Sequence, residues 1–345
     1  MANIFRMRKK LLFVLIAWLC TSCEKVLMMD DIAPTATNTF EYLWQRVDSQ
    51  YSMFDVKGVD WDAVYDTFRP QVYDGMSYDS LYSVCASMLS MLNDGHVNLY
   101  TSYDVARADT LYRDFYACSG IDINLVVLHY LGTRYHMTGG MAHSALCDGR
   151  VIYMNYGSFS NGITVSQLRH IVSLYPRAEG MVLDIRGNGG GNVANIDRIL
   201  HLMPSHGQQL YSSQIKSGAG HDDFGPLQPT FAPVVADTEA FMLPVVVLID
   251  KGCFSAASAF AVCTQAYENM TLMGDSTSGG LGLPAMGALP NGWLYRLPVT
   301  RTIALDGKNY ENGVPPDVYV PFDRAMAAMG RDNIIDSACA LILKK

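Results

Sequence analysis

Long apolar runs are scarce in this chain. Apart from the nine residues Leu11 to Leu19 (LLFVLIAWL), nothing approaches the ~20 consecutive apolar residues that a membrane-spanning helix needs. Basic residues do not cluster beyond residue 10, and the formal net charge is −8. An acidic chain without a Lys/Arg block has little to offer a nucleic acid. Gly (29) and Pro (14) are near average and no internal repeat is visible, which excludes collagen-like and low-complexity classes. Charged residues are only 17% against 50% hydrophobic, so global disorder is excluded as well. What remains is a chain of 345 residues with ample core material, enough for two or three domains at ~100–200 residues each.

The first residues read as an export signal. Arg6, Arg8, Lys9 and Lys10 form a basic n-region, and Leu11 to Leu19 has the length of a signal h-region. The run ends in Cys20-Thr21-Ser22-Cys23, which is similar to a bacterial lipobox with Cys23 as the lipidated first residue of the mature protein. A plain secretory signal cleaved nearby is the alternative. We therefore expect a signal peptide over 1–22 and a tether over 23–35. The expected location is the bacterial cell envelope, on the periplasmic or surface side, with the membrane reached only through the lipid. Loss of residues 1–22 removes those four basic residues and no acidic one, leaving a net charge of −12. The six remaining cysteines (85, 118, 147, 253, 263 and 339) show no CxxC or other metal-ligand spacing, so no metal is expected.

Three amphipathic helices follow. Phe40, Leu43, Trp44, Val47 and Tyr51 lie on one helical face, as do Trp61, Val64, Tyr65 and Phe68 before Pro70, and then Leu81, Val84, Cys85, Met88 and Leu92. They predict a helical subdomain over 36–95, with Gly95 as the residue just past the third helix. The segment 96–149 reads as a strand-rich connection, with strands at 96–100 and Ile121 to Leu128 and no carboxylate-binding loop of PDZ type. From 150 to 345 the pattern alternates. Strands are predicted at 151–156, 181–185, 245–250 and 270–274, and helices at 163–175, 192–203 and 255–268. A hairpin-like turn at Asp306-Gly307 and a closing helix over about 322–343 complete it. Apolar strands separated by helices predict an α/β fold with a parallel sheet covered on both faces.

Two segments carry candidate chemistry. In LIDKGCFSAASAFAVCTQAYE (248–268) a buried strand turns into a helix at Ser255. A serine there is either an ordinary N-cap or a nucleophile beside free helix N–H groups. In MVLDIRGNGGGNVANIDRIL (181–200) a strand runs into five residues, 187–191, of which four are glycine. The dinucleotide pattern G-x-G-x-x-G fails at Asn192 and the Walker A Lys-Ser/Thr is missing. A loop that brings backbone N–H groups up to a substrate carbonyl is the alternative to phosphate binding.

At these residues the chain resembles the S41 peptidases, which include the C-terminal processing (tail-specific) proteases and the tricorn core protease. Asn93-Asp94-Gly95-His96 is similar to the family's L-x-D-G-H segment, Asp184 to Gly191 to its D-x-R-x-N-G-G-G loop, Phe254 to Ser258 to its nucleophile segment, and Glu311 to Asp317 to its E-G-x-G-x-x-P-D segment. The resemblance spans about 36–321 and implies a ClpP/crotonase-like α/β core. It implies Ser255 as the nucleophile of a serine endopeptidase, acting on peptides or unfolded proteins without a cofactor. Processing proteases place a Lys about 25 residues after the Ser, but residues 275–283 (DSTSGGLGL) contain none. The tricorn-like branch uses His and Glu, which implies His96 as general base and Glu311 as its orienting acid. Tricorn has Ser before the His, where this chain has Gly95. The backbone N–H groups of Ala256 and of Gly189 or Gly190 are the expected oxyanion hole, with Asp184, Arg186 and Asn188 positioning the loop. A helix end and a nearby carboxylate would raise the His96 pKa above the ordinary ~6.5. A non-catalytic ligand- or peptide-binding protein on the same scaffold is the rival reading, and oligomeric state is left open.

Overall fold

The computed structural model describes residues 32–108 and 120–344. The expected signal peptide, Cys20, the lipidation candidate Cys23 and Cys118 lie outside them.

The N-terminal helices form where the apolar spacing places them. They are α1 (Ala36–Gln50), the short α2 (Phe54–Lys57), α3 (Trp61–Phe68) and α4 (Tyr78–Ser90). The side chains of Thr35, Asp60 and Ser77 cap α1, α3 and α4 by accepting from backbone N–H groups of the first turn. Their buried faces share one core with Leu289, Trp293, Tyr295 and Leu297, which come from a hairpin 200 residues further on. That hairpin is β13 (Pro284–Ala288) and β14 (Leu294–Pro298). With β1 (Asn98–Tyr100) and β2 (Val105–Ala106) it makes a four-stranded antiparallel sheet in the order β13-β14-β1-β2.

The central sheet has seven strands: β3 (His136–Thr138), β4 (Met141–Leu146), β5 (Val151–Asn155), β6 (Gly180–Asp184), β11 (Val245–Ile249), β12 (Met270–Gly274) and β16 (Val318–Tyr319). Their spatial order is β16-β12-β11-β6-β5-β4-β3. The first five strands are parallel, and β4 and β3 turn antiparallel at one edge. Both faces are buried, as the apolar strands predict. Ile152, Met154, Met181, Leu183, Val245 and Val247 face one core. Val151, Tyr153, Val182, Val246, Leu248 and Met273 face the other. The first core is closed by α6 (Val165–Ser173), α7 (Ala194–Leu200) and α8 (Ala256–Thr264). The second is closed by α10 (Asn333–Lys344) through Ile334, Ile335, Ala338 and Ile342. A third sheet, β15-β8-β9, joins Thr300–Ala304, Gln209–Ile215 and Gln228–Phe231. The short β7 (Ser205–His206) pairs with β10 (Val234–Val235).

Three local expectations are corrected and one turn stands as expected. Ile121 to Leu128 is not a strand: the Asp122 carboxylate accepts from the N–H groups of Asn124 and Leu125 and nucleates α5 (Ile123–Leu125), which runs on as a π-turn over Val126–Leu131. The closing helix is two helices, α9 (Arg324–Ala328) and α10, separated by Gly330 at φ +80°. The turn expected at Asp306-Gly307 is present: Gly307 N–H donates to the Ala304 carbonyl and Ala304 N–H to that of Lys308, while the β13–β14 hairpin turns between Leu289 and Trp293. The left-handed residue after α4 is Asn93 (φ +43°), not Gly95.

Below the C-terminal strand ends lies a buried ion network. Arg186, fully buried, donates from Nε to Asp184 Oδ1 (2.9 Å) and from Nη2 to Asp184 Oδ2 (2.6 Å). Its Nη1 donates to the Gly120 carbonyl (2.8 Å) and stands 2.9 Å from Asp332 Oδ2. Removing one partner of a buried pair strands the others, at about 3–5 kcal/mol. Arg186→Gln should therefore lower the unfolding free energy by that much, seen as a fall in the thermal and denaturant midpoints. Arg150→Gln, at the exposed Arg150–Glu179 pair, should leave both nearly unchanged.

Candidate active site

Ser255 stands between β11 and α8 with φ +55° and ψ −119°, a conformation that side chains rarely adopt. It makes no capping hydrogen bond, so the ordinary N-cap reading fails. Its hydroxyl instead lies 3.1 Å from His96 Nε2. The strained backbone is held on several sides. Ser255 N–H donates to the Gly279 carbonyl (2.8 Å), Phe254 N–H to the Asn188 carbonyl (3.1 Å) and Cys253 N–H to the Asp250 carbonyl (2.9 Å). Ser258, one turn later, is fully buried and donates to Thr277 Oγ1 (3.0 Å), away from the cleft.

The glycine loop approaches this serine closely. Gly190 has φ +95°, and a Cβ there would come within 2.6 Å of the Phe254 carbonyl oxygen, 2.8 Å of Ser255 Cβ and 2.9 Å of the Ala256 nitrogen. Asn188 shapes the turn: its Oδ1 accepts from Gly190 N–H (2.9 Å) and Phe159 N–H (3.3 Å), and its Nδ2 donates to the Tyr156 carbonyl (2.7 Å). Asp250 Oδ1 ties Gly187 N–H (2.8 Å) to Gly252 N–H (2.9 Å), joining the loop to the turn before Ser255. Gly190 N–H is thus taken. Gly189, exposed, and Ala256, at the first turn of α8, have N–H groups with no acceptor among the described residues.

His96 arrives from the other side. It lies six residues past the end of α4, outside the reach of that helix's dipole, on the turn into β1. Asp94 fixes its backbone: Oδ1 accepts from His96 N–H (2.8 Å) and Oδ2 from the Tyr51 hydroxyl of the helical subdomain (2.8 Å). The Phe254 ring packs against the imidazole at 4.8 Å between centroids. The same ring explains two glycines. A Cβ on Gly95 would meet it at 2.8 Å, and one on Gly280 at 2.3 Å. A serine at 95 would collide with Phe254, so the aromatic ring occupies the space that a relay hydroxyl would need.

Glu311 is buried but does not touch the imidazole. Its Oε2 accepts from Leu281 N–H (2.7 Å) and Gly282 N–H (3.0 Å), in the segment where the processing proteases carry Lys. The Gly282 backbone lies near enough to favour a protonated His96 ring, yet Nδ1 finds no partner in full hydrogen-bond geometry. Burial pushes the His96 pKa down from 6.5 to about 4. The Asp94 charge opposes this, while Arg296 and Lys57 reinforce it. The expected upward shift is therefore reversed, because the ring is desolvated and no carboxylate reaches it. Burial pushes Glu311 up to about 8, helped by the Asp94 charge and opposed by Lys57 and the two N–H donors.

Ser255, His96 and the glycine loop face one cleft of about 380 Å³, which Arg296 of β14 also lines. Of these, Phe254 and Arg296 were not singled out from sequence. Phe254 lies inside the nucleophile segment, but nothing local marks its packing role, and nothing marks Arg296 at all. Lys308 pairs with Asp306 at an exposed turn, 3.1 Å away. His143 is buried between Thr138 Oγ1 (2.9 Å) and the Tyr175 hydroxyl (2.7 Å), a packing histidine. Among the described residues no cluster suits a metal, and no helix is long and apolar enough to cross a membrane.

The model of peptidase family S41 matches residues 150–320, and that of the tricorn protease C1 domain matches residues 35–90. A crystal structure of a candidate peptidase from Parabacteroides merdae is 34% identical, with a TM-score of 0.84 over 90% of this chain and 97% of that one. The chain belongs to peptidase family S41, a family of serine-type peptidases with the ClpP-like α/β core. The carboxy-terminal processing protease CtpA of Bacillus subtilis is 25% identical over 179 residues, 51% of this chain, and the match spans only 36% of CtpA. The photosystem II D1 C-terminal processing protease shares the fold, at 17% identity and a TM-score of 0.53 over 83% of this chain and 92% of that one.

The close approach at Gly190 yields a test. Gly190→Ala should cost about 1–3 kcal/mol of stability by overpacking. It should also slow labelling of Ser255 by a fluorophosphonate about 100-fold through displacement of the hydroxyl. Gly162→Ala, where an added Cβ meets nothing within 4 Å, should change neither the melting curve nor the labelling rate.

Proposed function

We propose that this chain is a serine endopeptidase that cleaves peptides or unfolded proteins through an acyl-enzyme on Ser255. The observation that carries the reading is the 3.1 Å approach of His96 Nε2 to a serine hydroxyl released from capping by a positive φ. In the reaction Ser255 Oγ attacks the scissile carbonyl carbon while Nε2 takes its proton. The oxygen of the tetrahedral intermediate gathers negative charge, and the N–H groups of Ala256 and Gly189 are the free donors beside it. The imidazolium then returns the proton to the leaving amine, and water hydrolyses the ester by the same steps in reverse. The free Gly189 N–H, against the committed one of Gly190, favours Gly189 as the second donor.

Glu311 acts at one remove in this scheme. It holds the N–H groups of Leu281 and Gly282, and the Gly282 backbone faces the imidazole that must become positive. An ionised Glu311 stabilises that positive charge through space and through the fixed peptide. Export and a lipid anchor on Cys23 remain part of the proposal, supported by the n-region, the h-region and the cysteine after Ser22. Loss of acyl labelling in Cys23→Ser is the outcome this anchor requires.

A pH profile with active-site labelling tests the mechanism. A general base must be neutral, so kcat/KM should persist well below pH 6.5 and fall toward pH 4 as His96 protonates. Ionisation of Glu311 near pH 8 should add a second rise, and Glu311→Gln should remove that rise while lowering the plateau. Ser255→Ala should abolish both hydrolysis and fluorophosphonate labelling. A chain that folds, binds peptides and shows neither labelling nor hydrolysis would be the binding protein instead.

A further inference from the structure

The cleft around Ser255 is lined by glycines, serines, His96, Phe254 and a single side chain of fixed charge, Arg296. Arg296 sits on β14, an inner strand of its sheet, opposite Met286 on β13 and Asn98 on β1. Its backbone is therefore held from both sides. Its guanidinium is not. The contact made by Nη1 is a long one to Asn98 Oδ1 (3.3 Å), an oxygen that also accepts from the Tyr100 hydroxyl (3.2 Å). No carboxylate lies within ion-pair distance of it among the described residues. Of the other arginines that are half-buried or buried, Arg69 pairs with Glu41, Arg186 with Asp184 and Asp332, and Arg301 with Asp55, while Arg46 and Arg198 make short bonds to the Tyr42 hydroxyl and the Asn195 side chain.

A half-buried guanidinium has five donors in a planar fork that matches a carboxylate. None of its nitrogens is buried without a partner, so the free donors of the fork are open to the cleft, and the cation disfavours the imidazolium form of His96. An anion that enters with the substrate meets these donors and offsets that charge. Net charge elsewhere on the chain is negative, so an anionic ligand would be drawn to this cleft by the local cation and not by the overall field.

We infer that Arg296 is a specificity-determining residue whose guanidinium takes a carboxylate of the peptide held in the cleft, either an Asp/Glu side chain near the scissile bond or the free C-terminal carboxylate. The inference rests on the peptidase reading above and adds to it the class of substrate. Charge-assisted pairing of this kind discriminates a carboxylate from its neutral isostere by about 10- to 100-fold.

The test uses one peptide core in four forms: Glu or Gln beside the scissile position, and a free or amidated C-terminus. The wild-type protein should favour a carboxylate form about 10- to 100-fold in kcat/KM, and whichever pair shows the preference identifies its source. Arg296→Gln should reduce the preference to within about threefold, while Arg296→Lys, a point charge without the fork, should keep part of it. Fluorophosphonate labelling of Ser255 is read in parallel. Labelling and hydrolysis with no preference in either pair would overturn the carboxylate site and leave the peptidase reading standing. If Ser255 is neither labelled nor productive, the peptidase reading fails. Fluorescence anisotropy of the same four peptides on the wild-type and Arg296→Gln proteins then decides the site. A preference lost in the variant supports it, and equal affinities for all four peptides overturn it.

Discussion

The constraint on which the site depends is the backbone of one residue. Ser255 at φ +55° and ψ −119° sits in a region that costs on the order of 1–3 kcal/mol for a residue with a Cβ. Such strain persists only when the surroundings over-determine it. Here the parallel strand β11 delivers the chain to Asp250, and the Asp250 carboxylate ties the following turn to Gly187. Asn188 and Gly279 accept from the two N–H groups that bracket the bend. Gly190 packs against Ser255 where no other residue would fit. The result is a hydroxyl directed at His96 and an Ala256 N–H with no acceptor among the described residues.

The glycine loop in turn is anchored from below. Arg186 reaches back to Asp184 and across to Asp332 of the C-terminal segment, and Tyr153 donates to Asp184 Oδ2 (2.7 Å). A fully buried ion network is a poor source of net stability, because desolvation consumes most of the attraction. Its contribution is geometric. It makes one position of the loop far better than its neighbours, and the same set of bonds joins β6 to the start of α10.

The helical subdomain supplies the other half of the site. Tyr51 at the end of α1 donates to Asp94, and Ser52 donates to the carbonyls of Pro298 and Thr300. The hairpin β13–β14 buries Trp293 and Tyr295 among the helices while its Arg296 reaches the cleft. His96 is therefore held at Ser255 by contacts that cross between the helical core and the sheets, and the imidazole cannot be positioned without both.

Much of this was legible in the sequence because it rests on short-range chemistry. Helical spacing in the first 60 described residues, apolar strands between helices, and a glycine loop after Asp184 are local patterns, and periodicity is set by the backbone alone. The resemblance to S41 peptidases tied Ser255, His96 and the loop together across 160 residues of chain. Tertiary packing decided the rest. Asp122 turned an apolar segment into a helix by accepting two N–H groups, against its strand-like composition. Phe254 filled the space beside His96 and left residue 95 no room for a hydroxyl. The sign of the His96 shift followed from desolvation, which no motif reports, because it depends on what covers the ring and not on what precedes it. Arg296 became a cleft residue only when β14 paired with β1 across 198 positions. Local order is written in spacing and composition, whereas burial, close approach and the absence of a counter-ion are properties of surfaces that meet only in the folded chain.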